Sequence, residues 1–242
     1  MHTTQKQYVP INIIDSAFEK LDINDARLVA AKKRYGTTLP IEYTTSITDT
    51  LTNGDIIITY GYIDRYYDKW ITPYKGWFKI KKEYYANGNI NYKRMFNKTS
   101  RESSGKMYEF DKEGNLIKTT DFDEGWQTPF EAITELATHY AKKYNYNIDA
   151  SINGVITEDH NYQNWMDTFV RIWREEKGDK KYWLIGLNKG HYENPDNKKC
   201  ERVVVLIDDA TGKVIKKEHY YDAYNRLFKA ADNLLGLREK YY

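Results

Sequence analysis

A single cysteine, Cys200, stands among 242 residues, so no intramolecular disulfide can form and the fold must rest on its apolar core. With no histidine beside it in sequence, that thiol reads as inert rather than nucleophilic. Long apolar runs are missing too. None approaches the roughly 20 residues that a helix needs to cross a bilayer, and no membrane span is expected. The start, Met1-His2-Thr3-Thr4-Gln5-Lys6-Gln7, lacks the apolar centre of a secretory signal. The expected location is the cytoplasm if Met1 is the native start, and the periplasm or cell surface if a signal was removed. Charge of one sign is also scarce: lysine and arginine number 37 against 35 acids, mixed along the chain. A nucleic-acid backbone calls for a clustered positive footprint. The most basic neighbourhood, Lys79, Lys81, Lys82, Lys93, Arg94 and Lys98, would be scattered over both faces of a sheet by strand alternation. No nucleic-acid partner is expected.

Sets of residues suited to catalysis are lacking as well. Glu158-Asp159-His160 brings two carboxylates beside an imidazole, but neighbours on a strand point to opposite faces and neighbours on a loop are not held. Glu175-Glu176 and Asp208-Asp209 lie near glycines, where acids are ordinary turn formers. His139, His191 and His219 are too scattered for a metal spacing. Ser103-Ser104-Gly105 has neither the preceding apolar strand nor the first glycine of a nucleophile elbow. Gly186, Gly190 and Gly212 do not have the spacing of a phosphate loop. The chain is therefore expected to have no catalytic residues, metal site or cofactor.

Tyrosine is abundant instead, at 23 copies. Its large ring and wettable hydroxyl suit both sheet faces and recognition surfaces. Two near-copies of one hairpin pattern, Tyr84-Tyr85-Ala86-Asn87-Gly88-Asn89-Ile90 and Phe110-Asp111-Lys112-Glu113-Gly114-Asn115-Leu116, lie 26 residues apart. Phe96 and Phe122 stand equally far beyond their glycines, which marks an internal repeat.

Three stretches follow from this pattern. Residues 1–40 read as partly helical, with Asn24 as N-cap, Ala26 to Tyr35 helical and Gly36 as the releasing glycine. Leu28, Ala31 and Tyr35 share one side. Residues 41–126 read as β-hairpins. Asn53-Gly54 predicts a type I′ turn before the strand Ile56-Ile57-Ile58-Thr59-Tyr60, and the polar stretch Asn97 to Gly105 reads as a mobile loop. Residues 127–242 open with Thr128-Pro129-Phe130-Glu131, a capping-box arrangement. A helix follows, with Phe130, Ile133, Ala137, Tyr140 and Tyr144 on one stripe. Trp165 to Trp173, Tyr182 to Leu187, Arg202 to Ile207 and Lys213 to Tyr220 read as strands, and Tyr224 to Arg238 as a packing helix.

The unit from Gly105 through Met107, Tyr108, Phe110, Asp111 and Gly114 to Leu116 resembles the hairpin of MORN-like repeat proteins, including a family labelled as toxin–antitoxin antitoxins. That unit opens with glycine, carries aromatics on its first strand and has an acid three before a second glycine. The first copy departs from it, with Lys79 at the opening glycine and Tyr85 at the acid. The segment Val203 to Val214, with its Asp208-Asp209-Ala210-Thr211-Gly212 turn, is similar to the closing strands of PepSY-like domains, which implies a binding or inhibitory element. The expected fold class is α+β: antiparallel β-hairpin repeats of MORN-like type, then a helix with an antiparallel sheet.

The aromatic run from Tyr60 to Trp77 is the most distinctive chemistry. Tyr, Trp and Arg dominate interface hot spots because they bury much area. Tyr62, Arg65, Tyr66, Tyr67, Trp70, Tyr74 and Trp77 are therefore the expected partner-binding residues, with a core aromatic cluster as the competing reading. The expected function is a non-enzymatic protein-binding module, an immunity or antitoxin protein with a cognate toxin as partner. The alternative is a carbohydrate- or cell-surface-binding protein that stacks sugars on the same rings. The oligomeric state stays open.

Overall fold

The computed structural model describes residues 14–35, 45–62, 65–146, 148, 170–189 and 200–222. Helix α1 (Ala26–Tyr35) precedes seven strands: β1 (Thr45–Thr50), β2 (Ile56–Tyr62), β3 (Tyr66–Thr72), β4 (Phe78–Tyr85), β5 (Ile90–Asn97), β6 (Ser103–Phe110) and β7 (Leu116–Asp121). They form one antiparallel sheet in sequence order. Helix α2 (Phe130–Lys143) is followed by β8 (Val170–Lys177), β9 (Lys180–Lys189), β10 (Cys200–Asp208) and β11 (Val214–Asp222). These make a second antiparallel sheet of four strands, in the order β11-β10-β9-β8. Among the described residues the chain is mostly β, with two antiparallel sheets and few helices, an α+β protein in the broad sense. The expected helix Tyr224 to Arg238, the residues Gly36, His160, Glu158, Asp159 and His191, and Trp165 to Phe169 lie outside the described residues.

Three hairpins close with the same geometry. The Gly54, Gly88 and Gly114 N–H groups donate to Leu51, Tyr85 and Asp111 carbonyls at 2.9, 2.8 and 3.1 Å. Leu51, Tyr85 and Asp111 N–H groups in turn donate to Asp55, Asn89 and Asn115 carbonyls. Each glycine holds a positive φ, 87°, 84° and 95°, which costs little only without a Cβ. The expected type I′ turn at Asn53-Gly54 is corrected, because that type needs positive φ at both central residues. Among described non-glycine residues only Arg101 and Asn145 have positive φ. The loop is a three-residue one with glycine as its left-handed closing residue. Neighbouring turns are also tied together: the Asn87 and Asn89 amides donate to the Lys112 carbonyl at 3.1 and 2.8 Å, and the Tyr85 hydroxyl to the Phe110 carbonyl at 2.8 Å.

One face of the seven-stranded sheet is covered by the segment before α1. Tyr67, Tyr84, Ile90 and Phe110 form its core, with Leu21 and Ile23 packed on them. Backbone bonds fasten the strap at Ile90 N–H to Glu19 carbonyl (3.1 Å) and Leu21 N–H to Gly88 carbonyl (2.8 Å). Lys93, fully buried, donates to the Ala17 carbonyl at 2.6 Å and pairs with Asp15 at 3.1 Å and Glu19 at 2.6 Å. Glu19 also holds Lys82 at 2.7 Å. A buried ammonium keeps its charge only with such partners. Helix α1 starts from Asp25 rather than the expected Asn24, since the Asp25 carboxylate accepts the Arg27 N–H at 2.8 Å. Arg27 also reaches Asp49, which the register places on this same side.

The second core lies between α2 and its sheet, built on Phe130, Ile133, Ala137, Tyr140, Ile172, Trp183, Ile185, Val203, Val205 and Ile207. Of the expected α2 stripe Phe130, Ile133, Ala137 and Tyr140 are buried, joined by Ala141, while Tyr144 is the partly buried residue that ends the helix. The expected capping box is not formed. The Thr128 hydroxyl donates to the Asp209 carbonyl instead, and no side chain caps the helix at Pro129. Asp209, buried, accepts from Gln127 N–H (2.8 Å), Thr128 N–H (3.0 Å) and Trp183 Nε1 (2.9 Å), so the β10–β11 turn anchors the approach to α2.

The expected mobile loop from Asn97 to Gly105 is overturned. Asn97, Lys98 and Thr99 are buried and β6 begins at Ser103. Their side chains close the outer edge of β8: Asn97 donates to the Ile172 carbonyl (3.2 Å), Ile172 N–H donates to the Thr99 hydroxyl (3.1 Å), and Arg174 N–H donates to the Glu102 carboxylate (3.2 Å). Polar side chains thus satisfy edge groups that another strand would otherwise satisfy, and they join the two sheets.

Candidate functional site

The opposite face of the seven-stranded sheet carries a different chemistry. Register places side chains in rows that run across the strands. One row is Tyr60, Asp68, Glu83, Tyr92, Glu109 and Lys118, each opposite the next, with Lys118 paired to Glu109 at 3.2 Å. The adjacent row is Ile58, Trp70, Lys81 and Arg94. Lys79 and Phe96 pair in the row beyond. A row carrying three acids, on β3, β4 and β6, therefore lies next to one whose cations are Lys81 on β4 and Arg94 on β5. Alternation by two keeps each strand's contribution on this side.

The rings sit under the cations. Lys79 and Lys81 ammonium groups lie 4.3 and 5.5 Å from the Trp70 ring centroid, and Trp70 leans on Phe96 at 5.7 Å. The Arg94 guanidinium covers Phe96 at 4.6 Å and Phe122 at 5.0 Å, and bonds the Ser103 hydroxyl. Such cation–π contacts hold cations in place at a sheet surface. Lys81 pairs with Asp68 at 3.1 Å and Glu83 at 3.6 Å. Burial opposes the Lys81 charge, but the Tyr92 hydroxyl and the Asp68 carboxylate outweigh it, so Lys81 holds its proton more tightly than an ordinary lysine. At the acidic end, burial first and then Asp111, Glu83, Glu113 and Glu109 raise the Tyr85 hydroxyl pKa. The face is polarised from acidic at the Gly88 and Gly114 turns to basic near Lys79.

The seven expected partner-binding residues separate into four groups. Tyr62, Tyr66 and Trp70 share this face, with Tyr62 and Tyr66 stacked at 4.3 Å, and exposed Arg65 lies in the turn joining them. Tyr67, only 3% exposed, points to the other side and belongs to the core under the strap. Trp77 packs against the second core, 6.3 Å from Phe130. Tyr74 is exposed at the far end, its ring lying over Gly54 and its N–H on Asp55. The basic neighbourhood expected from sequence does divide between the faces, with Lys79, Lys81 and Arg94 on this one and Lys82 and Lys93 on the other, while Asp68, Glu83, Tyr92 and Phe96 were not assigned to a site. The signal was present as alternation, in Lys79-x-Lys81-x-Glu83 and Tyr92-x-Arg94-x-Phe96, once a partner register is known.

Among the described residues, no group of three or more His, Cys, Asp or Glu converges as a metal site, and no helix is long and apolar enough to cross a membrane. No protein-family model, curated protein or solved structure matches the chain.

Proposed function

We propose that the chain is a non-enzymatic protein-binding module that recognises its partner through the striped face of the seven-stranded sheet. The observation that carries this reading is the row pattern of acids and cations laid over Trp70, Phe96 and Phe122. Such a surface offers directional charge complementarity together with large ring area, the two ingredients of specific protein recognition. Hairpins closed by one glycine geometry, with turns bonded to each other, support a MORN-like repeat. On that resemblance the partner class is a toxin and the chain an immunity or antitoxin protein; the four-stranded sheet with α2 is the PepSY-like part.

Sugar stacking is the weaker alternative. A sugar needs an open ring face, and Lys79 and Arg94 occupy the faces of Trp70, Phe96 and Phe122. The test is affinity capture from the native host with wild type and with Tyr66→Ala/Trp70→Ala as baits. One stoichiometric protein held by wild type and lost by the variant, with cooperative melting retained, is the expected result. Equal capture by both baits refutes the assignment of this face, and a glycan-array signal without protein capture favours sugars.

A further inference from the structure

We infer that the striped face also pairs with the striped face of a second copy of this chain. The inference rests on reading that face as protein-binding and names one occupant for it. In a two-fold pair the same patch meets itself in reverse. With the axis lying between the two rows and across the strands, Glu83 and Glu109 of one copy face the Lys81–Arg94 stripe of the other, with Lys79 behind it, and the reverse holds at the second half; Asp68 is buried on Lys81 within each copy. A face polarised along the strand direction is self-complementary under this operation, whereas a face of one charge sign would repel its copy.

Geometry supports the match in size. Seven strands spaced ~4.8 Å apart and about seven residues long project an area on the order of 700 Å², close to the roughly 800 Å² per partner of a standard interface. Among the described residues, α1 through Arg27 and the strap through Lys93 and Glu19 lie on the other side of this sheet. The half-buried rings Trp70 and Tyr92 lie among the charges in the two rows beside the axis, and Phe96 lies with Lys79 in the row behind. A foreign partner competes with the second copy for the same rows.

Sedimentation of the full chain between low and high concentration tests this, together with two charge-reversed variants: Lys79→Glu/Arg94→Glu and Glu83→Lys/Glu109→Lys. Both pairs leave Lys81 and Asp68 in place, the second also removes the Glu83–Lys81 and Glu109–Lys118 pairings, and far-ultraviolet dichroism with cooperative melting verifies folding. Wild type is expected to dimerise at about 0.01 M salt and to weaken at least about tenfold at about 1 M, where the screening length falls from roughly 30 Å to roughly 3 Å. Each variant alone should be monomeric, and an equal mixture of the two should form a heterodimer, because their reversed stripes are again opposite. A wild type that stays monomeric at every concentration and salt overturns the inference, while the capture experiment above remains a separate test of the binding face. Dimers that persist in both variants overturn it as well, by placing the interface elsewhere. Should a variant misfold, the single substitutions Arg94→Glu and Glu83→Lys replace the pairs, with the same expected mixing result.

Discussion

Removing the charge of Glu102 should flatten the pH dependence of stability, because this carboxyl is buried where the two sheets meet. Burial, with Glu175 adding to it, pushes the group up to about 7 from 4.5, while the Arg174 N–H and guanidinium act the other way. A carboxyl with a higher pKa in the folded chain binds its proton more tightly there. Its contribution is complete below about 4.5 and is lost as pH rises through about 7. At about 1.4 kcal/mol per pKa unit, the loss between pH 4.5 and 8 is on the order of 3 kcal/mol. Glu102→Gln keeps an oxygen to accept the Arg174 N–H and removes the titration. Urea unfolding at several pH values between 4.5 and 8.5 should show wild type losing stability across that window, with the variant nearly flat in the same range. Parallel profiles for the two proteins would refute the burial argument at this joint.

Other positions give equally definite outcomes. Gly114→Ala adds a Cβ 2.3 Å from the Phe18 ring at φ 95°; it should cost about 1–2 kcal/mol for the backbone alone, and Phe18→Ala in that background should recover only the steric part, as read by denaturant midpoints. Lys93→Ala strips a buried cation from Ala17, Asp15 and Glu19, with an expected loss of about 3 kcal/mol, while Asp15→Asn, at a 72% exposed side chain, should barely move the melting temperature. Asp209→Ala leaves the Gln127, Thr128 and Trp183 donors unmatched; a loss on the order of 3 kcal/mol is expected, with near-ultraviolet dichroism reporting the freed Trp183.

Local signals were legible and long-range ones were not. Glycine turns at 54, 88 and 114 and the apolar stripe of α2 are encoded within a few residues, so strand and helix positions follow from spacing. Strands β9 and β10 were readable for the same reason, as apolar runs bounded by turns, and β11 from the turn before it, whereas β8 runs Val170–Lys177, past the expected end at Trp173, because its second half is charged. The strap was hidden because Lys93 meets Asp15 across 78 residues, and nothing in either segment advertises the other. Asn97, Thr99 and Glu102 looked like loop residues because their polarity is spent on β8, more than 70 residues away. Tyr66 and Tyr67 are adjacent in sequence and identical in type, yet alternation sends one to the striped face and the other to the core. Composition alone cannot separate them. Trp77 stands just before β4 and turns toward Phe130 rather than joining Trp70.

Site-specific photo-crosslinking gives the most direct measure of recognition by the striped face. A photoreactive side chain is placed at Glu83, within the acidic row, and in a control protein at exposed Lys213, near the β10–β11 turn. Irradiation in the native host should yield a discrete protein adduct from position 83 and none from position 213. An adduct from 213 alone, or an empty result at 83 alongside partner capture by the intact chain, would contradict docking on this sheet.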